Sequence, residues 1–372
     1  MNDRVYIRPI GLVPGPQSEH GNAIRLAGSM AYASRFAVIL RRDGDIAERW
    51  LAAPDTMAQV LGALPDEVGA QAEAQWANLT LAHPPLQLGP RAVALDQPQV
   101  MGILNVTPDS FSDGGRYLDD REAGREHAAA MVEAGAAIID IGGESTRPGA
   151  KPLWEGDEIK RVVPAIEDCV AMGAAVSVDT RKAGVMEAAL DAGAHLVNDV
   201  SGLAHDPRSA EVVAGAGCPV VLMHAPGAAG EDLHAGANYD SVVFDVFDAL
   251  RARRDAALEA GIAADRILLD PGIGFGKSLA ENLALINALP MFHALGQPLL
   301  LGASRKRMIG ALSKEAPVDA RLGGSIALAV AGMNAGVQLV RVHDVAETVQ
   351  ARDVWRGLRD AALTDFSMLP ED

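Results

Sequence analysis

Three polar side chains follow apolar runs at positions suited to holding a flat heterocycle. Asp179, Asn198 and Asp270 each close a strongly apolar segment, so each is expected at a strand end with little access to water. Carboxylate and amide oxygens in such a place favour N–H donors, and a planar heterocycle with amino and ring N–H groups supplies them in one plane. The alternative for Asp179 is an N-cap of the following helix. Capping fits Asp270 poorly, because a glycine-rich segment follows it.

A second group combines arginine forks, a hydroxyl and an imidazole, which together suit phosphate oxygens. With 32 basic and 49 acidic residues and a formal charge of −17, the chain must hold any anionic ligand with a local cluster of this kind. The alternative is that Arg147 pairs with Glu144 and Arg341 with Asp344 as ordinary ion pairs. The members of this group are Thr146, Arg147, Arg341 and His343.

A cationic trio and a glycine-rich segment stand beside these groups. Lys306 lies in Arg305-Lys306-Arg307, directly after an apolar segment, and an inward-facing cation there could bind a carbonyl oxygen or a departing phosphate. The alternative is that only one of the three matters while Arg305 and Arg307 face solvent. The segment 272–278 ends in Gly-Lys-Ser, but Pro271 stands where a P-loop needs its first glycine. We interpret the segment as a backbone-lined flap beside Asp270.

The histidines do not form a zinc motif, because neither an HxH nor an HExxH spacing occurs. His343 could donate to phosphate while Asp344 orients it, and His224 is as easily a buried strand-end residue as a functional one. Magnesium keeps few protein ligands, so a hard cation held by Asn105 and by the phosphates of a substrate fits the chain better.

Composition excludes several classes of function. The acidic balance argues against nucleic acid as the main partner, because polyphosphate backbones would be repelled. Cys169 and Cys218 lie in apolar runs without a CxxC partner, which favours buried thiols over a disulfide or thiolate metal site. An export signal is not evident, and no apolar run approaches the roughly 18 residues of a membrane helix. We therefore expect a cytoplasmic protein without a membrane partner.

From Gln99 onward, β-rich runs alternate with alanine-rich segments of helical spacing. The runs are nearly all apolar, which is typical of parallel strands buried on both faces. The count and size match a (β/α)8 TIM barrel, with a doubly wound open sheet as the alternative. The predicted strands are Val100–Val106, Ala137–Gly142, Ala175–Asp179, His195–Val200, Pro219–His224, Ile267–Asp270, Pro298–Gly302 and Gln338–Val342. The predicted helices are Arg121–Ala134, Trp154–Met172, Ala183–Ala192, Arg208–Ala216, Ser241–Ala260, Leu279–Leu289, Ala320–Ala335 and Val345–Arg359.

The barrel hypothesis explains where the polar residues stand. Active sites of such barrels lie at the C-terminal ends of the strands, and the polar residues named above follow the strand ends. Residues 1–95 differ from the rest, so we predict a small N-terminal α+β extension of unknown role before a barrel over 96–372. The proline-rich stretch 83–90 is typical of a turn or linker between the two.

The chain resembles the dihydropteroate synthases, which are pterin-binding enzymes of the folate pathway. The resemblance covers about residues 99–360, and its motifs occur in the order of that family. They are Met101–Gly115, Asp140–Gly149, Ser177–Thr180, Asn198–Asp199, Leu269–Lys277, Ser304–Lys306 and Arg341–Val345.

The resemblance implies that a dihydropterin-methyl group passes from its diphosphate ester to 4-aminobenzoate, releasing diphosphate. Asp179, Asn198, Asp270 and Lys306 would hold the pterin, and Asn105 would coordinate Mg²⁺. The loops Thr107–Arg116 and Ser145–Lys151 would close over the site, with Lys306, Asp113 and Arg147 taking part in catalysis. Thr146, Arg147, Arg341 and His343 would hold the diphosphate, and Phe111, Pro148, Phe275 and Lys306 would shape an aminobenzoate pocket open to sulfonamides.

Two other functions share a pterin-binding barrel. A methyltetrahydrofolate-dependent corrinoid methyltransferase needs no diphosphate site, so Thr146, Arg147, Arg341 and His343 argue against it. A non-catalytic pterin-binding paralogue would have lost part of the first loop or of the Arg-Lys motif, and both are present. The resemblance also implies a homodimer.

Overall fold

A computed structural model describes residues 3–107, 121–146, 149–150, 152–227, 233–234 and 236–363. The N-terminal part is an antiparallel sheet with two helices on it, which confirms the predicted α+β extension. Its central strand, β3, pairs with β1 along one edge and with β2 and β4 along the other. The elements are β1 (Arg4–Val13), β2 (Ile24–Arg25), β3 (Tyr32–Arg42), β4 (Asp45–Ala52), α1 (Met57–Leu61) and α2 (Asp66–Thr80).

The stretch predicted as a turn or linker is instead a short hairpin that closes one end of the barrel. It consists of β5 (Leu86–Leu88) and β6 (Arg91–Val93). Its Leu88 is buried against the first residues of the barrel strands, among them Met101 and Ile138. Proline and glycine shape the approach and the turn of this hairpin, and the alternating leucines that flank them form its buried face.

The remaining strands form an eight-stranded parallel sheet that curls into a barrel. The barrel closes between its sixth and seventh strands, where the backbone N–H of Leu269 donates to Pro298 O at 2.9 Å. This confirms the (β/α)8 TIM barrel and excludes the open sheet. The strands are β7 (Gln99–Asn105), β8 (Ile138–Gly142), β9 (Val176–Asp179), β10 (Leu196–Asp199), β11 (Val220–Met223), β12 (Ile267–Asp270), β13 (Leu300–Leu301) and β14 (Leu339–Val342).

Helices cover the outside of the barrel because each carries an apolar stripe over the strands beneath it. Beyond those predicted, a short helix begins directly after Lys306. None of the described helices is both long and apolar enough to cross a membrane. The helices are α3 (Arg121–Glu133), α4 (Glu155–Ala171), α5 (Ala183–Asp191), α6 (Ser209–Ala216), α7 (Val242–Glu259), α8 (Leu279–Phe292), α9 (Arg307–Leu312), α10 (Leu322–Asn334) and α11 (Val345–Leu363).

The extension packs on α7 and α8, and its core is continuous with that of the barrel. The ring of Tyr6 is fully buried, with ring centroids 4.5 Å from Phe244 and 5.6 Å from Phe247. Its hydroxyl donates to Asp248 Oδ2 at 2.7 Å, and Arg4 pairs with the same carboxylate. A domain boundary at residue 95 stays a prediction, since the two parts share one hydrophobic core.

We expect Tyr6→Ala to lower the free energy of unfolding by about 3–5 kcal/mol, because a large aromatic side chain is removed from a packed core. Tyr6→Phe should cost only about 1 kcal/mol, since it loses one hydrogen bond and keeps the packing. Urea denaturation followed by circular dichroism measures both. Equal costs for the two variants would contradict the packing explanation.

Candidate active site

The side chains predicted to hold a heterocycle lie together at the C-terminal mouth of the barrel. Asp179 ends β9, Asn198 lies near the end of the neighbouring β10, and Asp270 ends β12. Each strand is mostly apolar because it is packed between the barrel interior and the helices, and its carboxylate or amide side chain comes at or next to its C-terminal end. The alternative role of Asp179, as an N-cap, is wrong: the N-cap residue of α5 is Lys182, and the backbone N–H of Ala183 donates to Asp206.

Arg341 links two of the carboxylates inside the mouth. Its Nε donates to Asp140 Oδ2 at 2.5 Å and its Nη2 to Asp179 Oδ2 at 2.6 Å. Asn198 Nδ2 donates to the same Asp140 oxygen at 3.1 Å. Asp140 is fully buried and the Arg341 side chain is 19% exposed. The alternative partner, Asp344, pairs with Arg305 at 2.5 Å instead.

Burial and charge shift the titration of this group. Burial raises the pKa of Asp179, although the charge of Arg341 partly opposes the shift. Burial likewise raises the pKa of Asp270, against the hydrogen bond from the Gly272 backbone and the charge of Lys306. Burial alone would lower the pKa of Arg341, but Asp140 and Asp179 outweigh it and raise that pKa. Arg341 therefore stays charged inside the mouth.

Two glycines keep the space between these groups open. A Cβ on Gly142 would lie 3.6 Å from Asn105 Oδ1 and 3.8 Å from Asp179 Oδ2. A Cβ on Gly302 would lie 3.7 Å from Asp270 Oδ2 and 4.0 Å from Arg341 Cδ. A flat ligand can reach the carboxylates because both positions lack a side chain.

We expect Gly302→Ala to raise the KM for the pterin substrate that the resemblance implies about tenfold, while the melting temperature stays unchanged. The contacts above are ordinary van der Waals distances, so the fold accepts the methyl group, but the group would stand between Asp270 and Arg341. Gly323→Ala is the matched control, because that glycine is exposed on α10 with nothing within 4 Å of a Cβ. Steady-state kinetics check this, and an unchanged KM in Gly302→Ala would show that the gap is not a ligand slot.

The glycine-rich segment after β12 forms the predicted flap beside Asp270. The backbone N–H of Gly272 donates to Asp270 Oδ1 at 2.7 Å. Gly274 has φ +84°, and a Cβ there would lie 2.7 Å from Lys306 Cδ, so only glycine lets the lysine pass. Lys306 turns inward: its Nζ donates to Ile273 O and lies 4.3 Å from the ring centroid of Phe275. Burial lowers the pKa of Lys306 to about 8, against the charge of Asp270.

The Gly-Lys-Ser ending has a structural role. Lys277 Nζ donates to three backbone carbonyl groups, those of Gly272 at 2.9 Å, Phe275 at 3.1 Å and His224 at 3.3 Å. Burial lowers the pKa of Lys277 to about 7. His224 is buried as well, which lowers its pKa to about 3 and keeps the ring neutral. Ser278 begins α8 with a capping box completed by Glu281.

His343 and Arg305 differ from the expectations for them. His343 Nδ1 lies 3.0 Å from Ser304 Oγ, so a hydroxyl contacts this ring nitrogen, whereas Asp344 pairs with Arg305. The alternative in which Arg305 faces solvent is wrong, since its side chain is only 19% exposed. The part of His343 in binding diphosphate stays a prediction.

Comparison with known proteins identifies the barrel. A family model described as pterin binding enzyme matches residues 101–343. Dihydropteroate synthase of Bacillus subtilis is 46% identical over 249 residues, which are 67% of this chain and 84% of that protein. The chain belongs to the dihydropteroate synthase family. As a member of that family it is a transferase.

Solved structures of the family have the same fold. Dihydropteroate synthase of Xanthomonas albilineans with 4-aminobenzoic acid superposes with a TM-score of 0.69 at 45% identity, covering 78% of this chain and all of the other. The Burkholderia cenocepacia enzyme with 7,8-dihydropteroate has a TM-score of 0.69 at 40% identity, covering 75% of this chain and 98% of the other. Both solved structures are covered almost completely, whereas about a quarter of this chain lies outside each of these two matches.

Several predicted site residues lie outside the described residues: Phe111, Asp113, Arg147 and Pro148. Thr146 is described, and its carbonyl oxygen accepts a hydrogen bond from His234 Nε2 at 2.6 Å. The suggested pairing of Glu144 with Arg147 has competitors, because Glu144 already pairs with Lys182 at 3.0 Å and Arg181 at 3.2 Å.

Asp140 is the functional candidate that sequence reasoning missed. It lies inside β8, flanked on both sides by isoleucine, where a strand prediction expects an apolar residue. A lone carboxylate within such a buried run costs several kcal/mol unless it is paired. The sequence therefore indicated that Asp140 must have a buried partner, although not which one. One of its oxygens, Oδ1, makes no hydrogen bond to the described chain.

Proposed function

We propose that this barrel condenses 6-hydroxymethyl-7,8-dihydropterin diphosphate with 4-aminobenzoate to give 7,8-dihydropteroate and diphosphate. The observation that carries the proposal is the placement of Asp179, Asn198 and Asp270 beside Arg341 at one mouth, in a chain of the dihydropteroate synthase family. An acceptor-rich slot next to a cation suits a donor-rich heterocycle with an anionic leaving group.

The pterin would lie between the carboxylates, over the gap that Gly142 and Gly302 leave open. Asp179 and Asp270 would accept its N–H groups, and Asn198 and Lys306 would complete the set. The low exposure of these groups supports this placement, since hydrogen bonds gain strength where water is excluded.

The chemical step needs a stabilised leaving group more than a protein nucleophile. The bond between the pterin methylene carbon and the diphosphate oxygen breaks with its electron pair going to diphosphate. The amine nitrogen of 4-aminobenzoate then forms the new C–N bond and loses a proton. Arg341 has its Nη1 donors available for diphosphate, since its hydrogen bonds to the described residues use Nε and Nη2. The rest of the proposed diphosphate-binding site would consist of Thr146, Arg147 and His343.

Magnesium fits this mouth through a single protein ligand. Asn105 ends β7, with its amide oxygen beside the same open space as Asp179. The described residues contain no group of three or more carboxylate, histidine or cysteine side chains able to hold a metal alone. A hard cation bound there would take phosphate oxygens of the substrate as further ligands and would neutralise the negative charge of the departing diphosphate.

Lys306 and Phe275 would border the 4-aminobenzoate pocket, together with Phe111 and Pro148. The ammonium group lies beside the aromatic ring and can orient an aromatic carboxylate by charge. Asp113 would stand near the incoming ring or the metal. Sulfonamides would compete for this pocket.

A homodimer is the assembly we propose, on the family resemblance alone, and the cytoplasm is the location we propose for it. Light scattering of the purified protein gives its mass in solution, and a monomer at assay concentration would rule out the dimer.

The test of the function is direct. Purified protein incubated with the pterin diphosphate, 4-aminobenzoate and Mg²⁺ should form dihydropteroate, and a chelator should suppress the reaction. Binding of pterin without product would indicate a non-catalytic paralogue. Methyl transfer from methyltetrahydrofolate to a corrinoid would indicate the other alternative.

A further inference from the structure

Leu233 and His234, which follow β11 in the chain, both contact side chains at the mouth. Leu233 packs on a small cluster formed by Val200, Met223 and Phe275. The next residue, His234, stacks on Phe275 with ring centroids 4.9 Å apart and an interplanar angle of 15°. Leu233 and His234 therefore both contact the cluster that contains Phe275, which places these two residues against the flap.

His234 also joins two loops that belong to different predicted subsites. Its Nε2 donates to the carbonyl oxygen of Thr146 at 2.6 Å. Thr146 belongs to the predicted diphosphate-binding site, and Phe275 belongs to the predicted 4-aminobenzoate pocket. The imidazole thus connects the loop after β8 with the flap after β12.

Phe275 is held by two contacts of different kinds. Lys306 Nζ lies 4.3 Å from its ring centroid, and His234 stacks on the same ring. The ring is 8% exposed, so little of it is open to solvent. An aromatic wall positions a flat ligand only if the wall itself is fixed, and a ring stack contributes about 0.5–1.5 kcal/mol beyond the area it buries.

We propose that His234 is a positioning residue for 4-aminobenzoate, acting through the ring of Phe275. This rests on the proposed function and adds a residue and a role to it. The stack sets the orientation of Phe275, and the hydrogen bond to Thr146 is a second, weaker restraint on the imidazole. The three side chains of the pterin slot are held without His234, because Asp179, Asn198 and Asp270 bond to Arg341, Asp140 and the Gly272 backbone. The hydrogen bond from His234 to Thr146 uses the backbone carbonyl oxygen and not the hydroxyl, the group proposed to bind diphosphate.

Substitutions separate the stack from the hydrogen bond. His234→Ala removes both, His234→Phe keeps an aromatic ring without the donor, and His234→Gln keeps an N–H donor without the ring. We expect His234→Ala to raise the KM for 4-aminobenzoate about fivefold to tenfold, with the KM for the pterin diphosphate changed less than about twofold. His234→Phe should restore most of the 4-aminobenzoate KM, and His234→Gln should not. His20→Ala, an exposed histidine of the extension, is the matched control.

An unchanged 4-aminobenzoate KM in His234→Ala would overturn the proposal. So would equal rises in both KM values that His234→Phe fails to restore, since these would indicate only a general loss of loop structure. A wild-type protein that forms no dihydropteroate would refute the proposed function instead, and the two failures are thereby distinguished.

Discussion

Arg341→Ala should abolish turnover and weaken the fold at the same time. The substitution leaves Asp140 and Asp179 facing each other in the mouth without their shared cation. Breaking a buried ion pair by removing one partner costs about 3–5 kcal/mol, because the remaining charge stays desolvated. The rate should fall at least about 100- to 1,000-fold, since Arg341 is the group that we propose stabilises the departing diphosphate. Steady-state kinetics and urea denaturation measure the two effects.

Two further variants separate these effects. Arg341→Lys keeps the positive charge, so it should recover part of the lost stability. Its single ammonium group cannot bond to both carboxylates as the planar guanidinium does, so the recovery should be incomplete. The double variant Asp140→Asn with Arg341→Ala removes one buried charge and should also recover stability, while turnover stays lost. Full activity in Arg341→Ala would show that the guanidinium serves only the fold.

Lys306→Ala should lower turnover about 100- to 1,000-fold with little change in circular dichroism. The lysine bonds to the flap at Ile273 and lies over the ring of Phe275, and its loss removes the positive charge that we propose acts on the bound substrates. Burial lowers the pKa of Lys306 to about 8. Because the charged form is the one we assign to the reaction, kcat/KM should fall as the pH rises through about 8.

Lys306→Arg is the control for that pH dependence. A guanidinium stays charged throughout this range, so the alkaline fall should disappear even if the rate is lower overall. An alkaline fall that persists unchanged in Lys306→Arg would assign it to another group. Lys277 is the nearest competitor, since its pKa is lowered to about 7.

The barrel could be predicted because parallel strands buried on both faces read as short apolar runs between helical segments. The first and last residues of the strands were harder to predict, because backbone geometry decides them. For example, β13 consists only of Leu300–Leu301, although the predicted strand was Pro298–Gly302. The helix after Lys306 is six residues long, too short to produce a periodic pattern. The hairpin at 86–93 was hidden by its prolines and glycines.

The candidate site was predictable only where a polar residue ends an apolar strand. Asp179 and Asp270 meet that condition, Asn198 and Arg341 lie one residue before a strand end, and the structure gathers all four at one mouth. The partners within the site were not predictable. Arg341 bonds to Asp140, 201 positions earlier in the chain, and local sequence favours the adjacent Asp344 instead. His234 stands in a loop without a motif, and only the tertiary fold brings it to Phe275.

A crystal structure with bound 7,8-dihydropteroate tests the central claim most directly. We expect the heterocycle between Asp179, Asn198 and Asp270, with the benzoyl ring against Phe275 and Lys306. A heterocycle bound elsewhere, with those three side chains contacting only protein, would contradict the account.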